Sequence, residues 1–183
     1  MSKFNSWPKR LIVIVFLFLY CFQLNDTPVF AQLNLSPTPV DYQLPFPGIL
    51  PDHPLYLLKR VRDWLLITLN NNPVTKTETK LLFADKKIAM AQSLFDKKEY
   101  SLAADILLES QNDLLEAGKY LPKMLKENSL PAGLADKIEL SAKKHKEIIS
   151  KINITSSKST WKEQLEKASL LNNQATTIIT SVK

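Results

Sequence analysis

Histidines and carboxylates are the side chains of this chain that could support acid–base chemistry or bind a metal. The chain has only two histidines. His53 lies among prolines at a predicted helix start with no second ligand nearby, which favours a capping or turn role. His145 lies on the apolar face of a predicted helix, without a cysteine, a second histidine or a carboxylate pair on that face, which favours a core position. The sequence therefore predicts no metal site and no cofactor.

The motifs of common enzyme classes are missing from the sequence. With three glycines in all, the chain has no Gly-rich phosphate loop, and it has no Gly-x-Ser-x-Gly element. Asp52 and Asp63 flank the first predicted helix, where we expect Asp52 to cap the helix and Asp63 to pair with Lys59 one turn away. No catalytic residues are predicted, and a non-enzymatic protein is expected.

Three basic residues, Lys59, Arg60 and Arg62, form a local patch next to Tyr56 and Trp64. A solvated helix face on which long side chains keep their charges in water is the favoured interpretation. The alternative is contact with lipid phosphates or anionic wall polymers. The formal net charge of +6 is mild and dispersed along the chain, which argues against a nucleic-acid partner.

The first 31 residues have the three parts of a secretory signal peptide. Basic residues precede a run of 12 apolar residues, Leu11 to Phe22, and a cleavage site is predicted after Ala31. The alternative is an uncleaved N-terminal membrane anchor, although the run is shorter than the roughly 20 residues of a spanning helix. Cleavage would remove Cys21, the only cysteine, so an exported chain would rely on packing and not on disulfides.

Residues 32–53 are a Pro-rich segment, which prolines keep from forming a regular helix. We expect residues 32–40 to be flexible and residues 42–53 to lie against the folded part of the chain. The apolar side chains Phe46, Ile49 and Leu50 in this segment are expected to dock on the domain or on a partner.

Residues 54–183 are predicted to form one helical domain. The spacing of apolar residues predicts an all-α antiparallel bundle of about five helices behind the extended Pro-rich segment. The predicted helices run from about Pro54 to Asn70, Pro73 to Lys97, Tyr100 to Glu127, Pro131 through Ile152, and Ser159 to Ser181. Gly118 and Pro122 are expected to kink or fray the last third of the third helix.

The first helix carries one broad apolar stripe at helical spacing, and we expect that stripe to face the core. Its members are Leu57, Leu58, Val61, Trp64, Leu65 and Leu69.

Two parts of the chain resemble a known family: the stretch Leu44-Pro-Phe-Pro-Gly-Ile-Leu-Pro-Asp-His-Pro-Leu-Tyr through Trp64, and the predicted hairpin from Leu81 to Leu115. The chain over about residues 42–115 resembles an uncharacterised family of exported bacterial proteins, a domain of unknown function. The resemblance implies bacterial origin and export, and it brings no activity, cofactor or catalytic residue. Residues 120–183 resemble no family.

These patterns leave three functional hypotheses. The leading one is a non-enzymatic exported helical protein that binds an envelope protein or an anionic polymer. The first alternative is a membrane-associated protein held by an uncleaved N-terminal helix or by the basic patch, and the second is a carrier of a small apolar ligand. The predicted interaction surface consists of Phe46, Ile49, Leu50, Tyr56, Lys59, Arg60 and Arg62.

Overall fold

A computed structural model describes residues 39–155 and 161–183. Within those residues the chain contains six α-helices and no strand. Their bounds are α1 Tyr56–Leu69, α2 Pro73–Asp96, α3 Tyr100–Lys119, α4 Leu121–Lys126, α5 Leu134–Thr155 and α6 Lys162–Thr180. The predicted all-α class is confirmed. The predicted signal peptide and its cleavage after Ala31 lie outside the described residues.

Helix boundaries follow local backbone chemistry. α1 begins at Tyr56 and not at Pro54, because the Tyr56 N–H bonds the His53 carbonyl at 2.9 Å in a tight turn. α2 begins at Pro73, where the Asn72 side chain accepts hydrogen bonds from two backbone N–H groups of the first turn. α5 begins at Leu134, three residues later than predicted, because Gly133 has a φ of 77°, which cannot be part of a right-handed helix.

The third predicted helix is two helices, α3 and α4, which meet at Tyr120. Pro122 lies in the first turn of α4, where a proline is tolerated because its missing N–H would have no intrahelical partner. The expected kink near Gly118 and Pro122 is therefore a break between helices.

Four helices, α2, α3, α5 and α6, form the bundle. α2 packs on α3, α3 on α6, α6 on α5, and α5 on α2. Helices joined by short connections run antiparallel: in α2 and α3, Lys80 pairs with Glu116 while Lys87 pairs with Glu109. The α2–α3 hairpin packs on the α5–α6 hairpin so that α3 runs parallel to α6, since Gln111 contacts Asn172 and Gly118 lies beside Ile179.

The apolar core consists of two clusters, one at each end of the bundle. Cluster 1 lies at the turn between α2 and α3 and includes Ile88, Leu94, Leu107 and Ile148, together with Tyr56 of α1. Cluster 2 lies at the opposite end of the bundle. It contains Leu121 and Met124 of α4, packed with Leu81, Leu114 and Ile138 of the bundle helices. Both ends of the bundle are therefore closed by buried aliphatic side chains.

Candidate functional site

A layer of polar side chains crosses the bundle between the two apolar clusters. Every bundle helix contributes to it, and no member is more than 3% exposed. Its members are Asp85 of α2, Ser110 and Gln111 of α3, Ser141 and His145 of α5, and Asn172 of α6.

Hydrogen bonds assign a proton position within the polar layer. The Gln111 Nε2 lies 3.1 Å from His145 Nδ1, and the Gln111 Oε1 accepts a bond from Asn172 at 3.1 Å. Because Gln111 therefore donates to Nδ1, the neutral imidazole carries its proton on Nε2, which lies 3.1 Å from Asp85 Oδ1. His145 is the core histidine that the sequence predicted.

Asp85, His145 and Ser141 are the residue types of a nucleophilic triad, but their geometry is different. The Ser141 Oγ donates at 2.6 Å to Asp85 Oδ1, and its distance to His145 Nε2 is 3.4 Å. The serine thus gives its proton to the carboxylate, whereas a nucleophilic serine gives it to the histidine. All three side chains are buried in the interior of the bundle.

The polar layer also attaches the segment that precedes α1, residues 39–55, which we call the strap. The Tyr42 hydroxyl donates to Asp85 Oδ2 at 2.6 Å. Burial, followed by the bond to the Asp85 carboxylate, raises the pKa of Tyr42 far above its usual value, so the hydroxyl remains a donor. The Val40 N–H bonds Glu147 Oε2 of α5 at 3.0 Å.

The second half of the strap is held by lysines. The Lys59 Nζ donates to the carbonyls of Pro47 at 3.2 Å and Ile49 at 3.3 Å, and Lys97 pairs with Asp52 at 2.7 Å. Asp52 is therefore not the predicted helix cap. Gly48, with a φ of 74°, makes the turn between the two carbonyls that Lys59 binds.

Some apolar side chains of the strap pack on the core, and others are exposed to solvent. Leu50 packs on cluster 1, as does Leu44. Ile49 is partly exposed and Phe46 is 82% exposed. Deletion of the strap would thus remove fewer buried apolar groups than the sequence suggested.

The apolar stripe of α1 faces solvent, and the expectation that it faces the core is wrong. Only Tyr56 of this helix is buried. Leu57 is 70% exposed, Leu69 is 76% exposed and Trp64 is 63% exposed. We call this surface the outward face of α1; its members are Leu57, Leu58, Val61, Trp64, Leu65 and Leu69.

The surface beneath α1 explains this orientation, because α2 and α3 present ion pairs to it. Asp113 binds Lys80 at 2.8 Å through one oxygen and Lys87 at 2.7 Å through the other, and Glu109 and Glu116 extend the row. Burial opposes the charge of Lys80, but its bonds to Asp113 and Glu116 raise the pKa of that lysine. Leucines packed on this row would desolvate it, so the apolar stripe of α1 turns away.

A cleft of about 220 Å³ separates α1 from this ionic row. Its walls carry five cationic side chains, three anionic ones, and apolar groups that include Phe83 and Met90. Lys59 of α1 extends into the cleft toward α2. Its Nζ lies 5.6 Å from the Tyr56 ring and 3.6 Å from the Met90 sulfur.

The predicted basic patch is divided among three environments. Lys59 binds the strap carbonyls, Arg60 lines the cleft, and Arg62 pairs with Asp63 at 2.6 Å. Asp63 therefore pairs with its neighbour Arg62 and not with Lys59. Asp85, Lys80, Lys87 and Asp113 were not predicted as positioning residues.

Within residues 39–155 and 161–183, no group of three or more His, Cys, Asp or Glu side chains could hold a metal ion. No described helix is both long enough and apolar enough to cross a bilayer.

Comparison with family models places the chain. The model described as a domain of unknown function, DUF5667, matches residues 48–159, which is more than half of the sequence. The chain belongs to this family. The DUF5667 match begins at the Gly48 turn of the strap and extends through α5. It thus reaches well past residue 115, and the expectation that residues from 120 onward match no family is wrong up to residue 159.

The DUF5667 match ends before α6, although α6 completes the bundle core with Leu165, Ala168, Ala175 and Ile179. No curated protein matches the chain. No solved structure matches it either.

Proposed function

We propose that this DUF5667 protein is an exported, non-enzymatic protein that binds the surface of an anionic membrane through the outward face of α1. The observation that supports it is an apolar helix face turned to solvent above a charged surface that cannot receive it. Contiguous exposed apolar surface of this kind marks interaction sites in soluble domains.

The dimensions and side chains of α1 fit the interface of a bilayer. Its 14 residues give a length of about 21 Å, which suits a helix lying in the membrane plane. Arg60 and Arg62 flank the outward face on opposite sides, and Trp64 is a residue type enriched at membrane–water boundaries. Basic side chains beside an apolar face add attraction to anionic lipids.

A second copy of this chain fits the outward face less well than a membrane does. Symmetric pairing of two α1 helices would bring Arg60 and Arg62 of one copy near the same residues of the other. The only acidic residue of α1, Asp63, is already paired with Arg62. Like charges that face each other across an interface cost several kcal/mol, roughly, whereas anionic headgroups would neutralise them.

The first 31 residues, with the pattern of a secretory signal peptide, support the export part of this proposal. A signal peptide cleaved after Ala31 would leave α1 as the attachment to the membrane, whereas an uncleaved N-terminus would act as an additional anchor. N-terminal sequencing of the protein recovered from its host separates these forms, since cleavage leaves Gln32 as the first residue.

The membrane proposal is tested with an environment-sensitive fluorophore on a single introduced cysteine. Leu57→Cys in a Cys21→Ser background places the label on the outward face, and Leu170→Cys, an exposed leucine of α6, is the matched control. With anionic phospholipid vesicles, we expect the emission of the label at position 57 to rise and shift to the blue, and that at position 170 to remain unchanged.

The double variant Leu58→Gln/Leu65→Gln supplies the energetic test. Transfer of one leucine from water is worth about 2 kcal/mol, so loss of two should lower vesicle affinity by at least about a hundredfold. An equal response at positions 57 and 170, or unchanged affinity in the double variant, would show that α1 does not enter the membrane.

A second candidate function is binding of an envelope protein or polymer through the strap. Phe46 favours it, because this ring is 82% exposed on a segment tied down on both sides. Cross-linking from position 46 in intact cells should then capture one defined partner, and the same cross-linker at exposed Gln43 should not. Loss of capture in Phe46→Ala and not in Leu57→Gln would separate this surface from α1.

The carrier hypothesis receives little support from the cleft. Its volume of about 220 Å³ is below the range of about 300–1,000 Å³ usual for ligand pockets, and charged side chains make up much of its lining.

A further inference from the structure

The cleft beneath α1 has more positive charge than its acidic residues neutralise. Both oxygens of Asp113 are occupied by Lys80 and Lys87, Glu109 pairs with Lys87, and Asp63 pairs with Arg62. Arg60 and Lys86 also line the cleft, and neither forms an ion pair within the described part of the chain.

Neighbouring cations also contribute, after burial, to the lowered pKa of Lys59. Burial lowers the pKa of Lys59 most; Asp63 partly opposes this, and nearby Lys86, Arg62 and Lys87 lower it further. An anion bound in the cleft would relieve the repulsion among these cations, and none of the neutral groups that Lys59 binds does so.

We infer that this cleft binds the phosphate group of an anionic lipid, with Arg60 and Lys86 as its charged partners. The inference rests on the proposed membrane function of α1 and names the lipid chemistry at that same site.

The depth of the cleft agrees with this assignment. An interfacial helix buries its apolar face about 5–10 Å into the boundary between headgroups and acyl chains. A helix is about 10 Å in diameter, so its opposite side, which lines the cleft, lies at the level of lipid phosphates. Ion pairing of phosphate with guanidinium and ammonium groups is strong at such a partly desolvated site.

The size of the cleft limits what enters it. Its volume of about 220 Å³ suits a phosphate and part of a glycerol better than a pair of acyl chains. The acyl chains would remain in the membrane. Trp64 lies at the boundary between the cleft and the outward face of α1.

The site is tested with soluble ligands, by following the Trp64 indole N–H in NMR spectra of the protein as its host produces it. Dihexanoyl phosphatidylglycerol, below its micellar concentration, should shift this signal with saturation, and dihexanoyl phosphatidylcholine should shift it at least about tenfold more weakly. Inorganic phosphate and glycerol phosphate distinguish a free phosphate from a lipid-borne one. Binding of either as tight as that of the phosphatidylglycerol would overturn the assignment to a lipid.

Variants separate this inference from the membrane proposal. Arg60→Gln/Lys86→Gln should weaken phosphatidylglycerol binding at least about tenfold, and Lys119→Gln/Lys146→Gln, an equal charge change at exposed positions of α3 and α5, should not. Vesicle insertion of α1 with unchanged phosphatidylglycerol binding in Arg60→Gln/Lys86→Gln would overturn the cleft site alone. Phosphatidylglycerol binding without insertion of α1 would overturn the membrane function and, with it, the lipid assignment.

Discussion

At the scale of single residues, the Tyr42 hydroxyl links the strap to the interior of the bundle. It occupies one oxygen of Asp85, whose other oxygen is bonded by Ser141 and lies within hydrogen-bond distance of His145. A buried carboxylate that loses one of its donors remains desolvated without compensation, so this contact contributes more than an exposed hydrogen bond would.

Tyr42→Phe tests this contact. The substitution keeps the ring and removes only the donor to Asp85, and we expect the free energy of unfolding to fall by about 1–3 kcal/mol. Urea denaturation measures the change. Tyr120→Phe is the control, because the Tyr120 hydroxyl has no hydrogen bond within the described residues, and equal effects of the two substitutions would contradict the role of Asp85.

Glu147 gives the attachment of the strap a dependence on pH. The Lys151 ammonium, followed by the Val40 N–H and Lys144, lowers the pKa of Glu147 from 4.5 to about 2 against the opposing effect of burial. A carboxyl group with a lowered pKa in the folded state stabilises that state above its unfolded pKa, and this contribution is lost as the pH falls from about 4.5 toward 2.

Hydrogen exchange at the Val40 amide should therefore speed up, relative to that of the α2 core amides, as the pH falls through this interval. Glu147→Gln should remove the pH-dependent part of the difference. If the wild type and this variant show the same pH profile, the carboxylate is not the titrating anchor.

Residue partners were only partly predictable from the sequence. The core position of His145 followed from the helical spacing of apolar residues around it. The partner of Asp63 did not, because adjacent Arg62 and Lys59 one turn away compete for the same carboxylate and the sequence does not rank them. The Asp85 site did not follow either, since its partners come from the strap and from α5.

At the scale of elements, α1 shows what periodicity determines and what it leaves open. The apolar spacing correctly predicted a helix and its apolar face, but the direction of that face depends on the neighbouring surface. The lysines and acids of α2 and α3 form that surface, and the apolar spacing within α1 carries no information about them. Spacing of Lys80 and Lys87 two turns apart was the available signal.

The outward face of α1 should contribute little to folding. Leu58→Gln/Leu65→Gln changes only exposed side chains, so we expect the free energy of unfolding to change by less than about 1 kcal/mol. Leu114→Ala, at a fully buried position of α3, should cost about 2–5 kcal/mol. Thermal unfolding followed by circular dichroism compares the two, and a large loss in the α1 variant would show that its outward face packs in solution.

At the scale of the whole molecule, the polar layer relates the two apolar clusters to each other. A bundle with apolar side chains alone can shift one helix along another by a turn at modest cost. Buried polar groups oppose such shifts, because each must meet its own partner. Asp85, Gln111, His145 and Asn172 therefore define the register of the four bundle helices.

Substitutions within the polar layer should not be additive. His145→Leu alone leaves Asp85 and Gln111 short of partners and should cost about 2–4 kcal/mol. Joint replacement of Asp85, Gln111, His145 and Asn172 by leucine should cost less than the sum of the single changes and should broaden the NMR signals of core methyl groups as register is lost. Strict additivity in urea denaturation would contradict a coupled layer.

Folding and biological activity both constrain the amino-acid sequence, and at the outward face of α1 these two constraints separate. A leucine in either cluster is required for folding whatever the protein does, so its loss removes the protein from the cell. Folding does not require Leu57, Leu58 and Leu65, because they are exposed in the folded chain. In a scan of all substitutions, α1 is thus the segment where cellular abundance and biological activity would diverge, and the amino acids tolerated there would describe the partner directly.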